Sequence, residues 1–103
     1  MPRLFAVTVS RGPAWQGSSP IDDQPGFPAH AEFMDRLVDE GFVALGGPLE
    51  GSPDVLLIVR GDDREEIAKR FAADPWHRDG LLVVKHIWPW RIRLGSLASG
   101  SAR

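Results

Sequence analysis

The chain has 103 residues, enough for one domain and too few for two of ordinary size. Apolar residues make up 43% and the formal net charge is −2 with no basic stripe, which fits a globular protein and argues against nucleic-acid binding. There is no cysteine, so disulfides, thiolate catalysis and cysteine-ligated zinc are excluded. No apolar stretch is long enough for a signal peptide or a membrane span, so a cytoplasmic protein is expected. A monomer of this size buries only about two-thirds of its unfolded surface, so pairing with a second copy would add stability.

Residues 3–10, Arg-Leu-Phe-Ala-Val-Thr-Val-Ser, read as a buried first strand. Residues 11–26 form a long irregular stretch rich in Gly, Pro, Ser and Asp. A loop of that length is either functional or a flexible surface insertion. Residues 27–40 read as a helix with Pro28 in its first turn, and Gly41 stops it. Its apolar face is expected to carry His30, Met34, Leu37 and Val38, with Phe33 beside them. Residues 42–49 form a second strand running into a turn through Gly46-Gly47-Pro48, and residues 54–60 form a third. Asp62 or Asp63 caps a second helix over 63–73, with Glu65 and Glu66 in its favourable first turn. Residues 74–80, Asp-Pro-Trp-His-Arg-Asp-Gly, form a short helical turn. Residues 81–93 form the last strand, where Pro89 requires an edge or a bulge. The domain is expected over 1–94 and a flexible tail over 95–103.

The order β-α-β-β-α-β predicts an α+β fold of ferredoxin-like type. Four strands form an antiparallel sheet and two helices cover one face. The strands are apolar on both sides, as in Val55 to Val59 and Leu81 to Val84, so the open face is expected to pack on a second copy. This topology brings Arg11, His30, Gly46-Gly47-Pro48 and Asp74 to one rim, with Trp15 in the long loop above it.

Such a rim would hold an imidazole, a carboxylate, a guanidinium and an aromatic lid. Asp74 would orient His30 as a general acid or base. Arg11 would hold a carboxylate, enolate or phenolate oxygen, and Gly46 and Gly47 would let backbone approach a ligand. Each residue also has a plain structural explanation. A histidine on an apolar helix face is often a core residue bonded to backbone. Asp74 before Pro75 suits an N-cap, and Gly46-Gly47-Pro48 and Arg11-Gly12-Pro13 suit turns. His77 is expected on an exposed turn, and His86 on a strand beside Val84 and Trp88. Neither has a partner at metal-ligating spacing, so no metal site is expected.

These landmarks together resemble the YCII-related domain family. The resemblance rests on His30 in the first helix, on Glu40-Gly41 leading to Gly46-Gly47-Pro48, on Ala73-Asp74-Pro75-Trp76 followed by Gly80, and on Pro89-Trp90. Arg11-Gly12-Pro13-Ala14-Trp15 is similar to the opening of one subgroup, although the loop over 11–26 is longer than in the shortest members. The resemblance spans nearly all of residues 3–92. It implies a dimeric α+β barrel and an active site centred on a histidine and an aspartate, here His30 and Asp74. It also implies kinship with enzymes that remove HCl from chlorinated aromatic breakdown products, and a fold similar to muconolactone isomerase.

The expectation is therefore a homodimer that binds a small anionic or aromatic molecule through Arg11, Trp15, Gly46, Gly47 and Pro48. His30 and Asp74 would move a proton in a lyase or isomerase reaction that uses no cofactor. The alternative is a non-catalytic ligand-binding or accessory module on the same cleft. A cofactor-independent oxygenase is a third and weaker alternative.

Overall fold

Phe5, Val7 and Val9 recur at the two-residue period of a strand, and all three are sealed from solvent. They form the centre of the molecule, in the computed structural model that describes residues 3–97. The elements follow as β1 (Arg3–Arg11), α1 (Phe27–Asp39), β2 (Val43–Pro48), β3 (Val55–Gly61), α2 (Arg64–Ala72), α3 (Pro75–Arg78) and β4 (Leu82–Trp90). The four strands make one antiparallel sheet in the order β2-β3-β1-β4. The chain is thus an α+β protein, with three α-helices among the described residues.

The helices start and stop where local chemistry dictates. Gly26, at φ 76°, precedes α1, and Pro28 sits in its first turn, where a missing N–H costs nothing. At the other end Gly41 takes φ 81°. Its N–H donates to the Val38 carbonyl at 3.0 Å, and the Phe42 N–H donates to that of Leu37 at 3.0 Å. This pair of bonds closes the helix and turns Phe42 into the core. Asp63 is the residue that caps α2, accepting the Glu66 N–H at 2.9 Å, while the Glu66 carboxylate accepts the Asp62 N–H at 2.7 Å.

One face of the sheet carries Phe5, Val7, Val9, Leu57 and Val59. These pack with Phe33 and Leu37 of α1 and Ile67 and Phe71 of α2. The apolar face of α1 is rotated from the expected one. Phe33 and Leu37 are buried, whereas Val38 is 53% exposed. The stripe that faces a sheet is narrower than the run of apolar residues available to it, and Phe33 with Leu37 makes the larger contact.

The opposite face of the sheet is apolar and uncovered. Leu45, Val83, Trp88 and Trp90 are 40–54% exposed there. Their partners in the register are Ile58, Ser10, Ala6 and Leu4. Irregularities at Thr8/Val9 and Val43/Leu45 set which side chains reach this face. Val84 packs toward the core, so it does not share a side with His86 as the alternation predicted. His86 instead takes the Thr8 hydroxyl at 3.1 Å through Nδ1 and lies over Trp88, with ring centroids 5.4 Å apart. Pro89 stands on the edge strand β4, a position in a sheet that tolerates a missing N–H. Among the described residues no helix is long and apolar enough to cross a membrane. The tail expected over 95–103 lies outside the described residues from position 98 onward.

Candidate functional site

The stretch between β1 and α1 is folded tightly against the body. The Gly12 N–H donates to the Leu81 carbonyl at 2.8 Å and the Ala14 N–H to that of Gly80 at 2.9 Å. A Cβ at Gly12 would stand 2.2 Å from the Gly80 carbonyl oxygen, so only glycine allows this approach. Further along, Gln24 is buried and holds the loop from inside. Its Oε1 accepts the Gln16 N–H at 2.8 Å, and its Nε2 donates to the carbonyls of Gln16 at 3.2 Å and Ser19 at 3.0 Å. Residues Ile21–Asp23 form a short 3-10 helix just before it. The loop is therefore a built wall and not a loose insertion.

That wall delivers α1 so that His30, in its first turn, meets the segment that follows α2. His30 Nδ1 lies 2.9 Å from both carboxylate oxygens of Asp74. Asp74 is 0% exposed and the His30 side chain 11%. Asp74 also caps α3: its Oδ1 accepts the Trp76 N–H at 3.2 Å, with Pro75 next in the first turn. Trp76 in turn lies flat on His30, with centroids 4.0 Å apart and an interplanar angle of 8°. Its indole Nε1–H donates to the Pro25 carbonyl at 2.7 Å. The imidazole is thus held by a carboxylate at one edge and by an indole over one face. No hydrogen-bond partner occupies its Nε2 among the described residues.

The stack continues outward. Trp15 meets Trp76 edge-on at 5.7 Å, and the Arg11 guanidinium lies 4.9 Å from the centre of the Trp15 ring. Phe27 packs against the other side of the assembly, 6.0 Å from Trp76. Arg11 is exposed and has no carboxylate partner among the described residues. Trp15 Nε1 is sealed from solvent with no acceptor there, a situation that costs about 1–3 kcal/mol for a neutral donor.

Gly46, Gly47 and Pro48 sit inside β2, paired with Leu57, Leu56 and Val55. Val55 pairs in turn with Val9, so these residues share the end of the sheet to which Arg11 belongs. They stand on the outer strand, two strand spacings or roughly 10 Å sideways from β1. The structure brings together Arg11, Trp15, His30 and Asp74, and sets the glycine pair apart from that cluster. Gly46 has a packing reason of its own: a Cβ there would stand 2.3 Å from Leu57 Cδ2.

His77 departs from its expected exposed position. Its side chain is 9% exposed, it packs 5.7 Å from the Phe71 ring, and its Nε2 lies 3.8 Å from Asp74 Oδ2. Burial pushes this imidazole below the ordinary histidine range. The Asp74 carboxylate pulls it back up, and His30 pushes it down. The i, i+3 spacing of Asp74 and His77 on a helical turn was a visible signal for this contact. Gln24, which orders the wall, carried no comparable signal. Among the described residues no group of three or more metal-ligating side chains is placed to hold an ion.

A carboxylate that accepts from Nδ1 holds an imidazole in the tautomer whose Nε2 can take a proton, and stabilises the cation that results. The arrangement is chemically suited to proton transfer beside an aromatic wall and a guanidinium. Neither a curated protein nor a solved structure was found that matches this chain. The profile of the YCII-related domain matches residues 5–91, from the first buried residue of β1 to just beyond β4, and so takes in the whole sheet, the loop wall and the His30–Asp74 contact. The chain belongs to the YCII-related domain family.

Proposed function

We propose that the protein is a cytoplasmic, homodimeric small-molecule enzyme in which His30, oriented by Asp74, transfers a proton in a lyase- or isomerase-type reaction. The observation that carries this reading is the double 2.9 Å contact of Nδ1 with a fully buried carboxylate. It leaves Nε2 as the basic atom. A substrate C–H or O–H presented there would pass its proton to Nε2, and the imidazolium would be balanced by the Asp74 charge. Arg11 would hold an anionic oxygen of the substrate, and Trp15 would supply a flat wall for a ring or conjugated chain. As proposed, the reaction uses neither a metal nor an organic cofactor.

The test is proton exchange. The protein is incubated in D2O with a panel of lactones and unsaturated or aromatic carboxylic acids, and carbon-bound protons are followed by NMR. Exchange is expected for at least one compound, falling by 100-fold or more in His30→Gln, on the order of a general-base contribution. Equal exchange with His30→Gln would remove His30 from the chemistry. A second reading has an observation of its own: Asp74 caps α3 through the Trp76 N–H, a role that needs no catalysis. On that reading the protein is a ligand-binding or accessory module that uses the same wall.

The strand order β2-β3-β1-β4, with both long helices contributing to one core, supports the ferredoxin-like βαββαβ arrangement. The uncovered face with Leu45, Val83, Trp88 and Trp90 supports a second copy packed there to form a dimeric α+β barrel. Light scattering after size exclusion is expected to give twice the chain mass at micromolar concentration. Trp88→Glu combined with Leu45→Glu is expected to give the single-chain mass, because two carboxylates would be buried unpaired at the interface. A wild-type monomer would sink the barrel.

A further inference from the structure

Two imidazoles flank Asp74. His30 Nδ1 is within 2.9 Å of both oxygens, and His77 Nε2 approaches Oδ2 at 3.8 Å, inside ion-pair range but beyond a direct hydrogen bond. The three side chains are 11%, 0% and 9% exposed for His30, Asp74 and His77. They come from two places in the fold: His30 from the first turn of α1, and Asp74 and His77 from the start of α3.

We propose that His77 is a second positioning partner of Asp74, and that the two histidines compete through this carboxylate for one added proton. With both imidazoles neutral the buried cluster carries one negative charge. One added proton, such as one taken from a substrate by His30, makes it neutral. A second added proton would leave a net positive charge in the interior, so a charge on His30 suppresses the ionisation of His77. Burial keeps His77 neutral at pH 7. On acidification His77 becomes charged and draws on the same carboxylate, which weakens the hold of Asp74 on His30.

The charged groups acting on His77 are Asp74 and His30, from the α3 start and from α1. On the α2 side it meets the uncharged Phe71 ring. Arg70, Arg78 and Lys85 are paired with Glu40, Asp79 and Asp54 respectively. The coupling therefore runs through Asp74.

The functional consequence rests on the proton-transfer reading above: transfer by His30 should fall away on the acid side more steeply than a single titration allows. The coupling itself is measured without substrate. The imidazole nitrogens are titrated by NMR in the wild type, His30→Gln, His30→Asn and Asp74→Asn. In the wild type His77 is expected to titrate below an exposed histidine. Removing the His30 imidazole should raise the His77 pKa by about one unit or more, a tenfold or greater gain in proton affinity. Asp74→Asn should move it the opposite way, downward. An unchanged His77 titration in both position-30 variants would overturn the proposal, as would an unchanged one in Asp74→Asn. The two position-30 variants guard against one failing to fold. Loss of the coupling would leave the D2O exchange result untouched, and failed exchange would leave the coupling standing, so the two failures are distinguishable.

Discussion

Trp76→Ala is expected to destabilise the protein by about 3–5 kcal/mol, measured by denaturant unfolding. The indole is sealed from solvent and makes contacts on four sides: His30, Trp15, Phe27 and the Pro25 carbonyl. Truncation would open a cavity at the junction of the loop wall, α1 and α3. It would also leave the Pro25 carbonyl without its donor. Domains of this size have on the order of 5–15 kcal/mol in total, so the variant should lie close to the unfolding threshold. Trp76→Phe should cost less, because it keeps most of the apolar volume and loses only the N–H and part of the stack. A cost under about 1 kcal/mol for the alanine variant would show that the wall is held from elsewhere, through Gln24 and Gly12 alone.

Asp74→Ala is expected to cost about 2–4 kcal/mol, from the lost cap together with donors left unpaired in the interior. The Trp76 N–H and the His30 Nδ1–H both end on this carboxylate. Asp74→Asn separates the cap from the charge. Asparagine caps a helix about as well, so most of the stability should return. The charge that orients His30 and favours its cation does not return. If the chemistry depends on that charge, proton exchange should fall 10- to 100-fold in the asparagine variant with little loss of fold. If Asp74 is a cap and nothing more, Asp74→Asn should leave both the stability and the proton exchange as they are.

Much of the architecture was legible because it rests on local periodicity. Phe5, Val7 and Val9 announce a strand, Gly41 announces a helix stop, and Asp63 announces a helix start within one residue of where it occurs. Pro75 after Asp74 announces α3 in the same way. Val38 and Phe33 were harder to assign. They lie on adjacent faces of one helix, and which of them is buried depends on how the helix is rotated against the sheet. The side change of His86 relative to Val84 follows from an irregularity in strand pairing, which is a property of two strands and not of one. His77, two residues after Pro75, reads from its position as part of an exposed turn. Its burial comes from Phe71 and Asp74, which surround it only once α2 and α3 have packed.

The site divides along the same line. The sequence by itself determined the element order, the cap at Asp74, the helical setting of His30 and a topology that sends both to one end of the molecule. These follow from short-range preferences of backbone and side chain, which act over a few residues. Tertiary structure decided that the imidazole and carboxylate meet at 2.9 Å, and that Trp76 lies flat on the ring. It also decided that Arg11 and Trp15 extend the wall while Gly46 and Gly47 stand two strands away. A contact between residues 44 positions apart is set by how α1 sits against the end of α2. That placement depends on the packing of the whole core and on a loop pinned by Gln24 and Gly12, and no local pattern encodes it.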